Sequence, residues 1–239
     1  MCEHLRTGCE SAETSRYIAT CKPFQDMNSI IVSMLLHLTS GSRFPGPLNV
    51  DISDIATNMV PFPGLHFVSS SYAPITLGRR NHEQSVRKDL CIGVLSRYNQ
   101  LVGLDPWGGV LLGTALVGRG SVSMADMRSY VDRLGMRRRF APWGTAMKVG
   151  LCSVPAAGHS ASLLALANSS NMASLFSDVT SQFTKLFHRK AHTHHYLKVE
   201  GFDARDFEDS KECLLESVSR YSGMDHIQKV SKPRMQALV

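Results

Sequence analysis

Four histidines fall within eight positions, His188, His192, His194 and His195, and neutral imidazole is the commonest side-chain ligand for metal ions. His188 and His192 stand four apart, so on one continuous helix they would share a face, an arrangement zinc ligands use. No acid or cysteine completes the set at a recognisable spacing, and no metal is expected there. Arg137, Arg138 and Arg139 precede Phe140 and Trp143. Basic residues interleaved with aromatics suit nucleic acid or acidic tails, but the same run between a helix and a strand is ordinarily a solvated turn. Asp51 and Asp54 stand three apart at the head of a helical stretch. That offset lets Asp51 cap the helix while Asp54 reaches back to it, and the helix dipole favours both carboxylates. Phe24 and Asn28 frame the start of an earlier helical stretch, where the plainest reading is a hydrophobic staple and an ordinary first-turn residue.

These residues need a scaffold, and 239 residues of which 43% are hydrophobic can bury a substantial core. The net charge of +6 is mild against only 19% charged residues, so no nucleic-acid partner is expected. The longest apolar run, Ile30 to Leu38, is interrupted by Ser33 and His37 and falls well short of the roughly 20 residues that cross a bilayer. No membrane partner is expected. The start, Met1 to Arg6, lacks the apolar stretch of a secretory signal. Cys2, Cys9, Cys21, Cys91, Cys152 and Cys213 are scattered without a CxxC pair, which suits reduced thiols in the cytosol.

Residues 1–23 are polar and read as a loop or frayed helix closed by Pro23. From Asp26 to Ser40 apolar residues surround nearly the whole circumference of a helix, the signature of a buried one, with Gly41 suited to its cap and Pro45 and Pro47 barring continuation. Strand and helix patterns then alternate. Helices are predicted over 51–59, 82–98 and 123–134, the last capped by Ser123 with Asp126, and strands over 65–72, 110–117, 147–154 and 162–168. This alternation predicts an α/β layer with helices covering a sheet. Two helices follow, over 174–196 and 204–221, and residues 229–239 are expected to be mobile.

The run Leu48-Asn49-Val50-Asp51-Ile52-Ser53-Asp54-Ile55-Ala56-Thr57-Asn58-Met59-Val60-Pro61-Phe62-Pro63-Gly64-Leu65-His66-Phe67 resembles the segment of the tubulin superfamily that leaves the core helix and enters the second domain. Leu151 to Pro155, Gly158-His159-Ser160 and Leu163 to Asn168 look like the epsilon branch in particular, and Lys190 to Tyr196 with Glu200-Gly201 is similar to the family's junction between its last two helices. The resemblance covers about residues 22 to 222. It implies a tubulin/FtsZ-like intermediate domain, a two-layer α/β sandwich with a mixed sheet, preceded by a buried core helix and followed by a C-terminal helical pair. In those terms residues 1–25 are a remnant of the nucleotide-binding domain, 26–43 the core helix, 44–172 the intermediate domain, 173–224 the C-terminal helices and 225–239 a mobile tail.

The resemblance also implies roles. Phe24 and Asn28 match the positions that hold a guanine base, where a ring stacks on the purine and an amide offers donor and acceptor. Gly46, Asn49, Asp51 and Asp54 match the loop that projects toward the nucleotide of the next subunit, where the acid at Asp54 helps activate the attacking water. The family usually carries glutamate there, so Asp54 is one methylene short. GTP or GDP is the implied cofactor, held weakly, because no GGGTGSG-like run occurs and Gly108-Gly109 precedes a strand instead of opening a helix. The segment Pro74 to Arg80 corresponds to the family's lateral-contact loop and is short. The expected role is therefore an epsilon-type structural constituent of the microtubule cytoskeleton, linked to centrioles and basal bodies, with other tubulin subunits and centriolar proteins as partners. The alternatives are a self-contained GTPase and an adaptor that binds acidic partners through the arginine run.

Overall fold

The structure, a computed structural model, describes residues 23–45, 51–75, 86–137, 139–141 and 147–230. Helix α1 spans Pro23–Leu38 and begins with a proline whose missing N–H costs nothing in a first turn. A single turn, α2 (Ser40–Arg43), follows it. Helix α3 (Ile52–Met59) lays Ile55 and Met59, four apart, onto the sheet. Its approach is close enough that a Cβ added at Gly113 would sit 2.8 Å from the Met59 Cα.

The sheet uses strands β1 (Ser69–Ala73), β2 (Val110–Gly120), β3 (Arg139–Phe140), β4 (Met147–Cys152) and β5 (Ala161–Ser169). Strand β5 lies between β1 and β2 and is antiparallel to both. Strands β3 and β4 pair in parallel with successive parts of the other edge of β2, so the sheet is mixed. Every residue of β5 and nearly all of β2 are buried, because helices cover both faces. A register shift between Leu111 and Gly113 exchanges which side chains of β2 face each layer.

One face packs on helix α4 (Val86–Leu95) and helix α5 (Met124–Arg137), through Leu90, Cys91, Val94, Met127, Tyr130 and Leu134. The predicted cap of α5 is present. The Asp126 N–H donates to Ser123 Oγ at 3.1 Å, and Asp126 Oδ2 accepts the Ser123 N–H at 3.0 Å. The opposite face packs on α3, on Met34 and Leu38 of α1, and on helix α6 (Met172–His188) and helix α8 (Ala204–Val230). Phe183 and Phe187 of α6 join Phe207 of α8 at centroid distances of 5.4–6.1 Å.

The structure corrects several expectations. Among the described residues helix α1 is covered on one side only: Phe24 is 73% exposed and Val32, Leu35 and Leu36 are 46–51% exposed. A helix needs neighbours all round to be buried, and α1 meets the sheet along a single stripe. The strand expected from residue 65 begins at Ser69, because residues 65–68 take up a connection from α3. The helix expected over 174–196 stops at His188, since Lys190 and His192 adopt left-handed backbone with φ of 49° and 62°. A separate turn, α7 (Thr193–Tyr196), follows. Consequently His188 and His192 do not share a helical face, and among the described residues no cluster suited to a metal is formed. Helix α8 runs to Val230, past the expected start of the tail at 225, and Asp225 accepts a bond from Ser170 Oγ at 2.8 Å. No helix among the described residues is long and apolar enough to cross a membrane.

Candidate functional site

The site is the exposed N-terminus of α3. Asp51 has the extended backbone of an N-cap, φ −83° and ψ 161°, and its Oδ1 accepts the Ile52 N–H at 2.7 Å. Asp54 Oδ2 accepts the Asp51 N–H at 3.4 Å, and the capping box is complete in both directions. The sequence placed both carboxylates correctly on this turn. Both are exposed, and so are Ile52 and Ser53 between them, whereas Ile55 turns inward. Asp54 Oδ1 has no protein partner among the described residues. Gly46 and Asn49 lie outside the described residues.

A second contact, for which the sequence carries no signal, fixes Asp51. Ser42 Oγ of α2 donates to Asp51 Oδ1 at 2.7 Å. That hydroxyl first, then the Ile52 N–H, holds the Asp51 carboxyl below its ordinary range, so it stays ionised at neutral pH. The turn bearing Ser42 is itself clamped. Arg43 donates to Leu36 O and, at 3.0 Å, to Thr39 Oγ1. Arg119, on β2 and only 5% exposed, reaches the same Leu36 carbonyl at 3.2 Å and the carbonyls of Val154 and Pro155 at 3.1 Å. Phe44 lies under both guanidinium groups, at 5.0 and 5.5 Å. A cation on the last carbonyls of a helix also meets the negative end of its dipole.

His37 anchors α1 beside this clamp. Its Nε2 lies 2.8 Å from Val117 O, and because a carbonyl only accepts, Nε2 carries the proton and Nδ1 faces Ser162 Oγ at 3.4 Å. Burial is the main reason its pKa falls to about 3. The Val117 contact opposes that shift and the nearby Arg119 charge adds to it.

The other end of α3 is held by a buried polar pair. Asn168 Nδ2 donates to Met59 O at 2.8 Å and to Leu65 O at 2.6 Å, and its Oδ1 accepts from Tyr221 Oη at 3.2 Å. The Phe67 N–H in turn donates to Tyr221 Oη at 2.9 Å. Asn168 stood in the sequence as the end of an apolar run, and a polar residue inside that run was the available signal of a core hydrogen-bonding role.

Phe24 and Asn28, one helical turn apart, share an exposed side of α1. The acids lie toward the other end of that helix, where Ser42 of α2 meets Asp51 and α3 packs on Met34 and Leu38. They do not form one site. Both sets are exposed among the described residues. Gly108 and Gly109 close a 3-10 turn ahead of β2 and do not open a helix.

Residues 63–181 match the family model of the tubulin C-terminal domain. The chain is 39% identical over 214 residues to the tubulin epsilon chain of Mus musculus, an alignment covering 89% of this chain and 45% of the relative. Against the tubulin epsilon chain of Homo sapiens it is 39% identical over 206 residues, covering 85% and 43%. A tubulin beta chain of Enteroctopus dofleini is 32% identical over 202 residues, covering 83% and 45%. The chain thus spans less than half the length of these curated relatives.

Proposed function

Given that this chain belongs to the tubulin superfamily, we propose that it is an epsilon-type structural constituent of the microtubule cytoskeleton, working at centrioles and basal bodies through longitudinal contact with other tubulin subunits. The higher identity to the epsilon chains than to the beta chain supports the branch. The observation that carries the functional reading is the capping box of α3, which holds two exposed carboxylates with one Asp54 oxygen unclaimed among the described residues.

In this reading the surface formed by Gly46, Asn49, Asp51 and Asp54 meets the GTP of a neighbouring subunit. Asp54 Oδ1 accepts a hydrogen bond from the attacking water, and orienting that water is a large part of phosphoryl-transfer catalysis. Asp51 fixes the helix that carries it. Phe24 and Asn28 hold the base of a guanine nucleotide, GTP or GDP, by stacking and edge hydrogen bonds. Centriolar proteins are the further partners that this location implies.

The test is phosphate release from GTP-loaded tubulin mixed with the full chain. Stimulation is expected with the native chain and is lost in Asp54→Ala. Asp54→Glu restores the missing methylene and raises the rate by up to about 100-fold, the scale that an ångström of misplacement costs. Equal phosphate release with the native chain and Asp54→Ala would overturn the acid's role. A tagged chain that stays diffuse in cells with centrioles would overturn the location.

A further inference from the structure

Between Asp178 and Glu200 the chain has no acidic residue, while Lys185, Arg189, Lys190 and Lys198 supply four fixed cations and His188, His192, His194 and His195 four imidazoles. All eight side chains are exposed. Among the described residues none of them is in an ion pair. Interleaved with them, Leu186, Tyr196, Leu197 and Val199 remain 49–59% exposed. The surface is therefore both basic and apolar.

It is also held in shape. The turn after α6 closes through the Lys190 N–H to Phe187 O at 2.9 Å and the Ala191 N–H to Leu186 O at 3.0 Å. Thr193 Oγ1 donates to Lys190 O at 3.1 Å, and α7 continues through the Leu197 N–H to Thr193 O at 3.1 Å. Behind it, Tyr196 packs on Phe202 and Phe207 at 5.9 and 5.6 Å. A surface fixed in this way loses little conformational entropy when it is covered.

We propose that the α6–α7 turn and the residues to Val199 form a docking surface for an acidic peptide segment that carries apolar side chains. Charge complementarity selects the sign of the partner, and Leu186, Leu197 and Val199 take up its apolar residues. A longer polyanion fits less well. Just beyond the turn α8 presents Asp206, Glu208, Asp209, Glu212 and Glu216, preceded by Asp203, which repel a phosphate backbone extended past the patch. Tyr196 already packs against two rings and is a poor stacking platform for a base.

The experiment is fluorescence anisotropy of a short labelled glutamate-rich peptide with interspersed leucines, titrated with the full chain. Saturable binding is expected, weakening as salt rises through the range where the Debye length shrinks to about 8 Å. Arg189→Glu combined with Lys198→Glu should weaken it at least tenfold with an unchanged circular dichroism spectrum, and Leu197→Ser should weaken it too. If the reversed variant fails to fold, the milder Arg189→Gln with Lys198→Gln is read in its place, with a smaller loss expected. Binding that is absent, or unaffected by the charge changes, overturns the proposal. So does tighter binding of single-stranded DNA or of anionic lipid vesicles than of the peptide.

Discussion

His37 shows how one residue can carry much of the pH response of a fold. It is fully buried between the Val117 carbonyl and Ser162, with Tyr72 edge-on at 5.5 Å and the Arg119 charge nearby. Folding keeps it neutral down to about pH 3, whereas in the unfolded chain it takes a proton near its ordinary value of 6.5. A base whose folded pKa is depressed contributes stability that is complete above its unfolded pKa and lost as pH falls toward the folded one. The expected loss between pH 7 and pH 4 is on the order of a few kcal/mol. His37→Gln keeps an N–H for Val117 and cannot titrate, so its urea midpoint should change less over that range. Parallel pH profiles for the two proteins would show that His37 does not set the response. The carboxylates of α3 differ, because they are exposed; their importance lies in direction, fixed by Ser42 and the capping box.

Helix α3 is pinned at both ends, and its C-terminal pin is the easier to test. Removing the hydroxyl in Tyr221→Phe leaves the Phe67 N–H and Asn168 Oδ1 each short of a partner, at an expected cost of about 1–3 kcal/mol. Asn168→Leu strips both Met59 O and Leu65 O and should cost more, read as a larger fall in the denaturant midpoint. Equal midpoints for native protein and Asn168→Leu would remove this network from the positioning of α3. The elements themselves were legible where local chemistry decides them. Ser123 with Asp126 marked the start of α5, and Asp51 with Asp54 marked that of α3, because a cap is a contact across three residues. What the sequence hid depends on distant partners. The Ser42 bond to Asp51 joins two turns, the Asn168 bonds join β5 to α3, and the break at Lys190 and His192 places non-glycine residues in left-handed backbone, which such residues adopt uncommonly. For the same reason the all-round apolar pattern of α1 announced burial without saying what would supply it.

At the scale of the molecule that apolar pattern has a consequence for solution behaviour. Phe24, Asn28, Val32, Leu35 and Leu36 recur at spacings of three and four, so they line one stripe of α1, and all are exposed. Met34 and Leu38 occupy a different stripe and pack onto the core of Ile55, Met59 and Val117. Contiguous exposed apolar stripes on a soluble domain drive association, and the net charge of +6 spread over 239 residues opposes it weakly. The full chain should therefore show a weight-average mass in light scattering that grows with concentration. Val32→Lys with Leu35→Lys should shift it toward monomer without lowering the thermal midpoint, because neither side chain contributes to the buried core. Were association driven by an exposed sheet edge, those substitutions would leave it unchanged. A native chain that stays monodisperse and monomeric at high concentration would instead require the stripe to be covered by residues outside those described, and the two lysines would then destabilise the fold rather than solubilise it.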